Sequence, residues 1–421
     1  MKLKKILSRF LKLHPKEIDL SLDRIKILCK KLGNPQDKIK AISIVGTNGK
    51  QSTINAIFSI LKEAKIKCNI YTSPHIQKIN ERFIFNNKEL GDKELASLFE
   101  KVEKVNDNQP ITFFEILSAC FFYKAAQYPD NINLIEAGLF HRFDATNILK
   151  SNLASVVCSI SKDHLDWLPK DEQTIEKIVY EKTTSLLNSK IIVSKQNSIN
   201  TTLSIKKTIL KNPSKKLYFN EDFSYTMKEN DFFYYEDKFG GLKLPKPNIL
   251  GQFQLENIST AIATLRFLNF NIKDKDFKYG ITKIKNIARL QEIKSGKLKK
   301  LLKNNKLIID GSHNEDGARV LNEYLQTLNC NKHIILGMMA NKDHEKYISY
   351  FKDITSLTTI DIPGQPNSIS GKKLKEKFKG IQNAQYKKDI IQAIKSIPLK
   401  ENDLVIITGS LYLAGEMLNL N

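Results

Sequence analysis

The residues best placed to do chemistry in this 421-residue chain are Gly46-Thr47-Asn48-Gly49-Lys50-Gln51-Ser52. They follow the apolar run Ala41–Val45 and precede a helical pattern, Ser52–Ala64, with Ile54, Ile57 and Leu61 on one face. Gly46 and Gly49 allow backbone angles that turn successive N–H groups toward one point. Lys50 adds a positive charge suited to the β- and γ-phosphates of ATP. Ser52, at the helix start, can ligate Mg²⁺ or cap the helix. The spacing departs from the GxxxxGK[ST] form: only Thr47 and Asn48 separate the glycines, and Gln51 stands between Lys50 and Ser52. A Gly-Lys-x-Ser is common in loops by chance. The buried strand before it and the amphipathic helix after it are what point to a nucleotide.

A loop of this kind needs a sheet to hold it. Ala41–Val45, Asn133–Glu136, Ser155–Ile160 and Lys190–Val193 are nearly continuous apolar runs, the pattern of parallel strands buried on both faces. Helical stretches between them supply the crossovers, which predicts a doubly wound α/β domain. Residues 215–250 read as a small β excursion before a helix starting near Glu256. A second α/β series has strand candidates Leu307–Asp310, His333–Leu336, Leu357–Ile362 and Leu404–Thr408. The boundary between the two is expected near residues 284–290.

Composition agrees with an enzyme built on cores. Hydrophobic residues make up 41% of the chain, and Lys plus Arg at 67 against Asp plus Glu at 45 gives a net charge of +22. The lysines are spread evenly and no basic stripe is interleaved with aromatics, so no nucleic-acid partner is expected. Five cysteines without a CxxC pair fit a reducing cytoplasm and suggest neither a disulfide framework nor a zinc site. The basic N-terminus has no uninterrupted apolar stretch of signal-peptide length. Its Ile6, Leu7, Phe10, Leu11 and Leu13 roughly fit one helix face. No apolar run of roughly 18 residues occurs, so no membrane span is expected.

GTNGK is the form this loop takes in the Mur ligase superfamily. Leu13–Pro35, TSPHIQKINERF (Thr72–Phe83), TFFE (Thr112–Glu115), EAGLFHRFDATNI (Glu136–Ile148) and the segments DHLDWL and TIEKIVYEK within Asp163–Lys182 resemble bacterial folylpolyglutamate synthase/dihydrofolate synthase. GQFQLEN (Gly251–Asn257), ARLQ (Ala288–Gln291), DGSHN (Asp310–Asn314) and TGSLYLAGE (Thr408–Glu416) follow in the family's order, so the resemblance spans nearly the whole chain. It implies a P-loop central ligase domain, residues 1–286, with a parallel sheet, and a smaller Rossmann-like α/β ligase domain, residues 287–421. The implied reaction is carboxylate plus ATP giving an acyl-phosphate, which the amine of L-glutamate attacks. Dihydropteroate or folates would supply the carboxylate, in a monomeric enzyme.

The resemblance assigns residues to roles. Thr47, Asn48, Gly49, Lys50, Gln51 and Ser52 would hold the phosphates. Ser73, Glu136 and His164 would hold Mg²⁺, although His164 is an unusual partner for that ion. Lys50, Lys182 and His164 would be catalytic, and Lys182 matches a lysine that is carbamylated in the family. Asn257, Arg289 and Asp310 would contact ATP, Asp310 through the ribose hydroxyls, with His313 facing the same cleft. Closure of the two domains on the nucleotide would exclude water. Ile18 and Asp19, Thr112–Glu115, and Phe143, Asp144 and Ala145 would meet the pterin-bearing substrate. Phe113 and Phe114 could offer it a flat surface or equally be core. Departures from the family pattern are Gln51, Phe140-His141 in place of Gly-Gly, Thr-Thr-Ser after Lys182, Phe253 and Glu315. Two rival readings are a ligase acting on a nucleotide-linked cell-wall precursor and a nucleotide-binding protein without ligase chemistry.

Overall fold

The computed structural model describes residues 2–16, 19–228, 232–378 and 384–421. Ile18, one of the expected substrate contacts, lies outside them. The chain forms two compact units, one of residues 1–164, 168–248 and 255–284, the other of residues 165–167, 249–254 and 285–421.

The first unit is built on an eight-stranded sheet. Its order is Lys88–Glu89, Phe83–Phe85, Cys68–Tyr71, Ile132–Glu136, Lys40–Val45, Ala154–Val157, Lys190–Val193, Lys215–Tyr218. The first two strands are antiparallel and the other six parallel. Isoleucine and valine fill the central strands, whose branched side chains pack on both faces. Lys40–Val45 lies in the middle, in register with Glu136 on one side and Val157 on the other. From it the chain first builds toward Cys68–Tyr71 and later toward Ala154–Val157. The order reverses at that strand, which opens a crevice at its carboxyl end, where α/β sheets bind ligands.

Several expectations need correction. Lys215–Tyr218 is the eighth strand of the main sheet; only Phe223–Lys228, Phe232–Asp237 and Gly240–Pro245 form the separate antiparallel sheet. At a sheet edge Lys215 stays exposed and Lys216 turns its ammonium back to Asn212 O and Ser214 O at 2.6 and 3.1 Å, so the strand lacks the apolar run that marks its neighbours. The next helix starts at Phe253, three residues before Glu256. The N-terminal helix ends at Phe10: Ile6 and Phe10 are buried one turn apart, while Leu11 is 51% exposed beyond its end. Three strands end before their expected limits: at Val157 and Ile360, short of apolar residues that follow, and at Ile309, one residue before the polar Asp310. In each case the chain leaves the ladder to organise a loop, as Ser159, Asp310 and Asp361 show below or in their own hydrogen bonds.

The second unit holds a six-stranded sheet ordered Gln291–Glu292, Lys306–Ile309, Leu404–Thr408, Lys332–Leu336, Ser356–Ile360, Ala384–Lys387, parallel except for the first. A buried polar cluster ties its amino edge. His333 Nδ1 meets Ser356 Oγ at 2.8 Å and its Nε2 meets Asp403 Oδ2 at 3.1 Å. Asn331 Nδ2 and Lys400 N also donate to Asp403, at 2.8 and 2.7 Å. Burial pushes the Asp403 carboxyl up, but these donors outweigh it and hold it below the usual range. A depressed carboxylate stabilises the fold above its ordinary pKa and loses that contribution as pH falls through the folded value. Asp403→Asn should therefore lower the unfolding temperature at neutral pH. Its gap from wild type should shrink as pH falls below about 4. Thermal unfolding across that range is the check; a constant gap would contradict the assignment.

Candidate active site

Gly49 takes a left-handed conformation, φ 85°, and caps the helix Lys50–Glu63. The helix thus starts at Lys50, two residues before the expected Ser52. Lys50, Gln51 and Ser52 occupy its first turn, where backbone N–H groups point out of the helix end. The N-cap position is Gly49, which has no side chain to cap with, and Ser52 sits inside the first turn instead of at the cap position. The loop is fixed from the segment that follows the neighbouring strand Ala154–Val157: Thr47 N and Asn48 N donate to Ser159 O at 2.8 and 3.1 Å. Thr47 Oγ1 is also paired with Ser161 O and Ser161 N, each at 3.1 Å. A Cβ on Gly49 would come within 2.4 Å of Asn257 Oδ1, and one on Gly46 within 2.9 Å of Cys158 Cβ. Both glycines are required by backbone angle and by space. Gly49→Ala should abolish nucleotide binding: ATP with Mg²⁺ should raise the melting temperature of wild type and leave that of the variant unchanged.

Lys50 reaches back over the loop. Its Nζ donates to Thr47 O at 3.1 Å and lies 3.8 Å from Glu136 Oε1. Glu136 Oε2 accepts from Ser73 N at 3.1 Å, so the ends of three strands bring Ser73, Glu136 and Lys50 together. Among the described residues no three His, Cys, Asp or Glu side chains converge on one metal site. One carboxylate beside one hydroxyl residue still suits Mg²⁺. That ion keeps much of its shell as water and substrate phosphate. His164, the third expected ligand, takes φ 57° in the loop that follows Ser161. Its N donates to Asp163 Oδ1 at 2.9 Å, and its ring meets the Phe140 ring edge-on, centroids 6.4 Å apart.

Lys182 lies beneath this group. It is 2% exposed, and its Nζ donates to Leu139 O at 2.8 Å and Gly46 O at 3.1 Å. Burial first, and the charge of Lys50 second, lower its pKa to about 7. Phe140 and His141, the bulky pair in place of glycines, are both buried beside it. Burial and Lys182 push His141 down to about 4, so it is a neutral imidazole.

The loop 138–146 is organised by Asp144. Its Oδ2 accepts from Gly138 N at 2.8 Å and Leu139 N at 3.1 Å. Its Oδ1 accepts from Thr146 N at 2.9 Å and Thr146 Oγ1 at 2.6 Å. Burial raises its pKa, and those donors pull it back. Asp144 was expected to meet substrate; its carboxylate is engaged in shaping its own loop. Ala145 is buried in the core, and the Arg142 guanidinium covers the half-buried Phe143 ring at 4.3 Å. Arg142 itself is held by Glu181 through two bonds of 2.7 Å.

Asp19 and Thr112–Glu115 do come together, through a residue the sequence reading missed. Arg24 Nε donates to Glu115 Oε2 at 3.0 Å and its Nη1 to Asp19 Oδ2 at 2.9 Å. Thr112 and Glu115 cap their helix reciprocally, Glu115 N donating to Thr112 Oγ1 at 3.3 Å and Thr112 N to Glu115 Oε2 at 2.8 Å. Glu115 Oε1 is buried without a partner among the described residues. Phe113 and Phe114 pack partly buried on the core, with Phe114 stacked on Tyr71 at 5.9 Å. Arg24, the second residue of the helix Asp23–Lys31, carries no signal of its own in sequence; only the fold pairs it with Glu115.

In the second unit Asp310 Oδ2 accepts from Leu290 N at 2.8 Å and its Oδ1 from Ser312 N at 2.9 Å. Arg289 stands between Ala288 and Leu290, both left-handed, φ 53° and 48°. Such angles are costly for a non-glycine residue, and Asp310 helps hold them. His313 Nδ1 lies 3.0 Å from Gly311 O. Phe253 packs against the core of this unit, and Glu315 opens the helix Glu315–Gln326, paired with Tyr350 and with Lys346 at 3.5 Å.

The phosphate loop at a switch strand and two parallel-sheet units define the class: a P-loop α/β protein built like the Mur ligases. The family of the Mur ligase glutamate ligase domain matches residues 296–411. The chain is 29% identical over 432 residues to a dihydrofolate synthase/folylpolyglutamate synthase of Haemophilus influenzae, covering 97% of this chain and 95% of that one. The Bacillus subtilis protein of the same name is 29% identical over 426 residues, covering 94% of each. A structure of Escherichia coli FolC in complex with DHPP and ADP superposes with a TM-score of 0.87 at 26% identity, covering 99% of this chain and 97% of that one. Along nearly its whole length the chain is thus similar to dihydrofolate synthase/folylpolyglutamate synthases, and its residues 296–411 match the glutamate ligase domain of the Mur ligases.

Proposed function

We propose that this protein is an ATP-dependent ligase that joins L-glutamate to dihydropteroate, to the terminal glutamate of a folate, or to both. The observation that carries this reading is the placement of Lys50 between the phosphate loop and Glu136. A carboxylate is a poor electrophile because it has no good leaving group; phosphate supplies one. The acceptor's carboxylate oxygen attacks the γ-phosphorus of ATP and ADP leaves. The glutamate amine then attacks the carbonyl carbon of the acyl-phosphate, a proton is lost from nitrogen, and phosphate departs with the carboxylate oxygen.

The chain's own residues serve these steps electrostatically and by position. The first turn at Lys50–Ser52 directs N–H groups at the polyphosphate, and Lys50 neutralises the moving phosphoryl group. Glu136 and Ser73 would hold Mg²⁺, which when bound spreads the phosphate charge. Asp144 sets the loop that carries Gly138 and Leu139 beside Lys182. The Arg24–Glu115–Asp19 cluster would receive the pterin-bearing acid. Assignments of Asn257, Arg289, Asp310 and His313 to the nucleotide, of His164 to the metal, and of residues 1–286 and 287–421 to two ligase domains belong to the same proposal. So do a monomeric state, a cytoplasmic location, and the absence of a nucleic-acid partner. The five cysteines are free, which fits that location, and no helix among the described residues is long and apolar enough to cross a membrane.

The test is purified protein with ATP, Mg²⁺, glutamate and each acceptor in turn, read by mass spectrometry. Glutamylated pteroate or folate is the expected product. Product only from a muramoyl acceptor would move the chain to another Mur ligase activity, and ADP release independent of any acceptor would refute the ligase reading.

A further inference from the structure

Tyr347 lies in the short helix His344–Ser349 and is wholly buried, its ring 5.4 Å from that of Phe351 in the core of the second unit. A phenylalanine would fill that apolar space as well; the hydroxyl is what needs a reason. It meets two others. Tyr347 OH lies 2.9 Å from Ser312 Oγ and 2.8 Å from Thr408 Oγ1, and those two lie 3.3 Å apart. Three hydroxyls in a closed ring can each donate once and accept once, so every donor is used without water. Burial pushes the Tyr347 phenol up, so it stays neutral and keeps its proton for the ring. Ser312 follows the strand Lys306–Ile309, and Thr408 ends the parallel neighbour Leu404–Thr408. The ring therefore joins two loops at the carboxyl edge of the sheet. The backbone repeats the link: Gly409 N donates to Ser312 O at 3.1 Å, and Ser312 N to Asp310 Oδ1 at 2.9 Å. Three residues on, Tyr350 OH donates to Glu315 Oε1, and Lys346 Nζ lies 3.5 Å from the same oxygen. The segment 343–351 thus grips the segment 310–315 at two points.

We propose that Tyr347 is a positioning residue: its hydroxyl holds the loop of Asp310 and His313 against the loop of Gly409 and Ser410, in the arrangement that nucleotide binding requires. The nucleotide clause rests on the ligase reading above; the ring does not. Tyr347 acts through the residues it fixes. His313 follows Ser312 directly, and Asp310 accepts from Ser312 N and from Leu290 N, beside Arg289. A shift of Ser312 therefore moves all three groups assigned to the nucleotide, and misplaced groups of that kind are costly. The other loop is packed too tightly to follow. Gly409 has φ 104°, and a Cβ there would come within 2.7 Å of Gly337 O. When the ring opens, the 310–313 side is the one that moves.

Hydrogen–deuterium exchange of the full chain reads the ring directly. In Tyr347→Phe the amides of Ser312 and Gly409 should exchange about tenfold faster, the scale of one lost hydrogen bond, while those of the strand Lys332–Leu336 keep their wild-type rates. Ser312→Ala should do the same at Gly409. Both variants open one ring, so the double variant should be no worse than either single one; additive effects would overturn the ring. A kinetic arm follows. The KM for ATP should rise about tenfold in Tyr347→Phe, with kcat within about threefold of wild type. Unchanged exchange at both amides would overturn the proposal. So would a lower melting temperature with KM unchanged, the mark of a residue that only fills the core. The exchange arm uses no substrate. Faster exchange in a protein that makes no glutamylated product would refute the ligase reading and leave the ring standing, so the two failures are distinguishable.

Discussion

Replacing Lys50 with alanine should reduce acceptor-dependent ADP release by about a thousandfold while the protein stays folded, the scale set by removing one charge-stabilising group from a dry site. Lys50 is the positive side chain of the phosphate loop, with only 14% of it exposed, 3.8 Å from Glu136 Oε1. Its loss removes the charge that balances the transferring phosphoryl group and leaves Glu136 facing that phosphate with less compensation. The fold should tolerate it. Among the described residues Lys50 donates to Thr47 O, in a loop also held by Ser159 and Ser161. A stability change within about 1–2 kcal/mol is the expectation. Lys50→Arg should recover only part of the rate, because a planar guanidinium is not a compact ammonium. The checks are a coupled ADP assay and thermal unfolding of the same preparations. Full activity in Lys50→Ala would remove this residue from the mechanism.

Asp144→Ala should be the most damaging change outside the phosphate loop, costing about 3 kcal/mol of stability and most of the activity. Four donors converge on this carboxylate: the N–H groups of Gly138, Leu139 and Thr146 and the Thr146 hydroxyl. All would be left in a buried site, with no side chain to replace the acceptor. The same loop carries Leu139 O, one of the two acceptors of Lys182, so its collapse would also release the phosphate loop. Asp144→Asn keeps the shape but sets an amide opposite N–H donors, and should recover less than half of the loss. Denaturant unfolding measures the first effect and ADP release the second. Native stability in Asp144→Ala would contradict the loop's dependence on this residue.

What the sequence disclosed and what it hid follow from range. The phosphate loop was legible because strand, glycines, lysine and helix are contiguous, and local rules govern them. The parallel strands were legible because burial on both faces leaves a continuous apolar run. Lys215–Tyr218 was hidden because an edge strand can carry lysines, Lys215 exposed and Lys216 bonded to the carbonyls of Asn212 and Ser214. The strand ends were overrun at Ile160 and Ile362 because apolar content continues after the ladder stops, and at Asp310 by the one polar residue that follows the ladder. Asp144 was assigned by resemblance to substrate; that three loop N–H groups and the Thr146 hydroxyl converge on it is something no spacing rule reveals. Arg24, Ser159 and Ser161 act across separations of roughly a hundred residues, where only the folded chain shows who meets whom. Phe140 and His141 were noted as departures; that they enclose Lys182 is a three-dimensional fact.

The central claim is that the terminal phosphoryl group of ATP moves onto a carboxyl oxygen of the acceptor. Isotope transfer tests it most directly: an acceptor with both carboxyl oxygens as ¹⁸O is turned over with unlabelled ATP and glutamate, and the released phosphate is weighed. The phosphate should carry one ¹⁸O for each amide formed. Amide formation with wholly unlabelled phosphate would contradict the account.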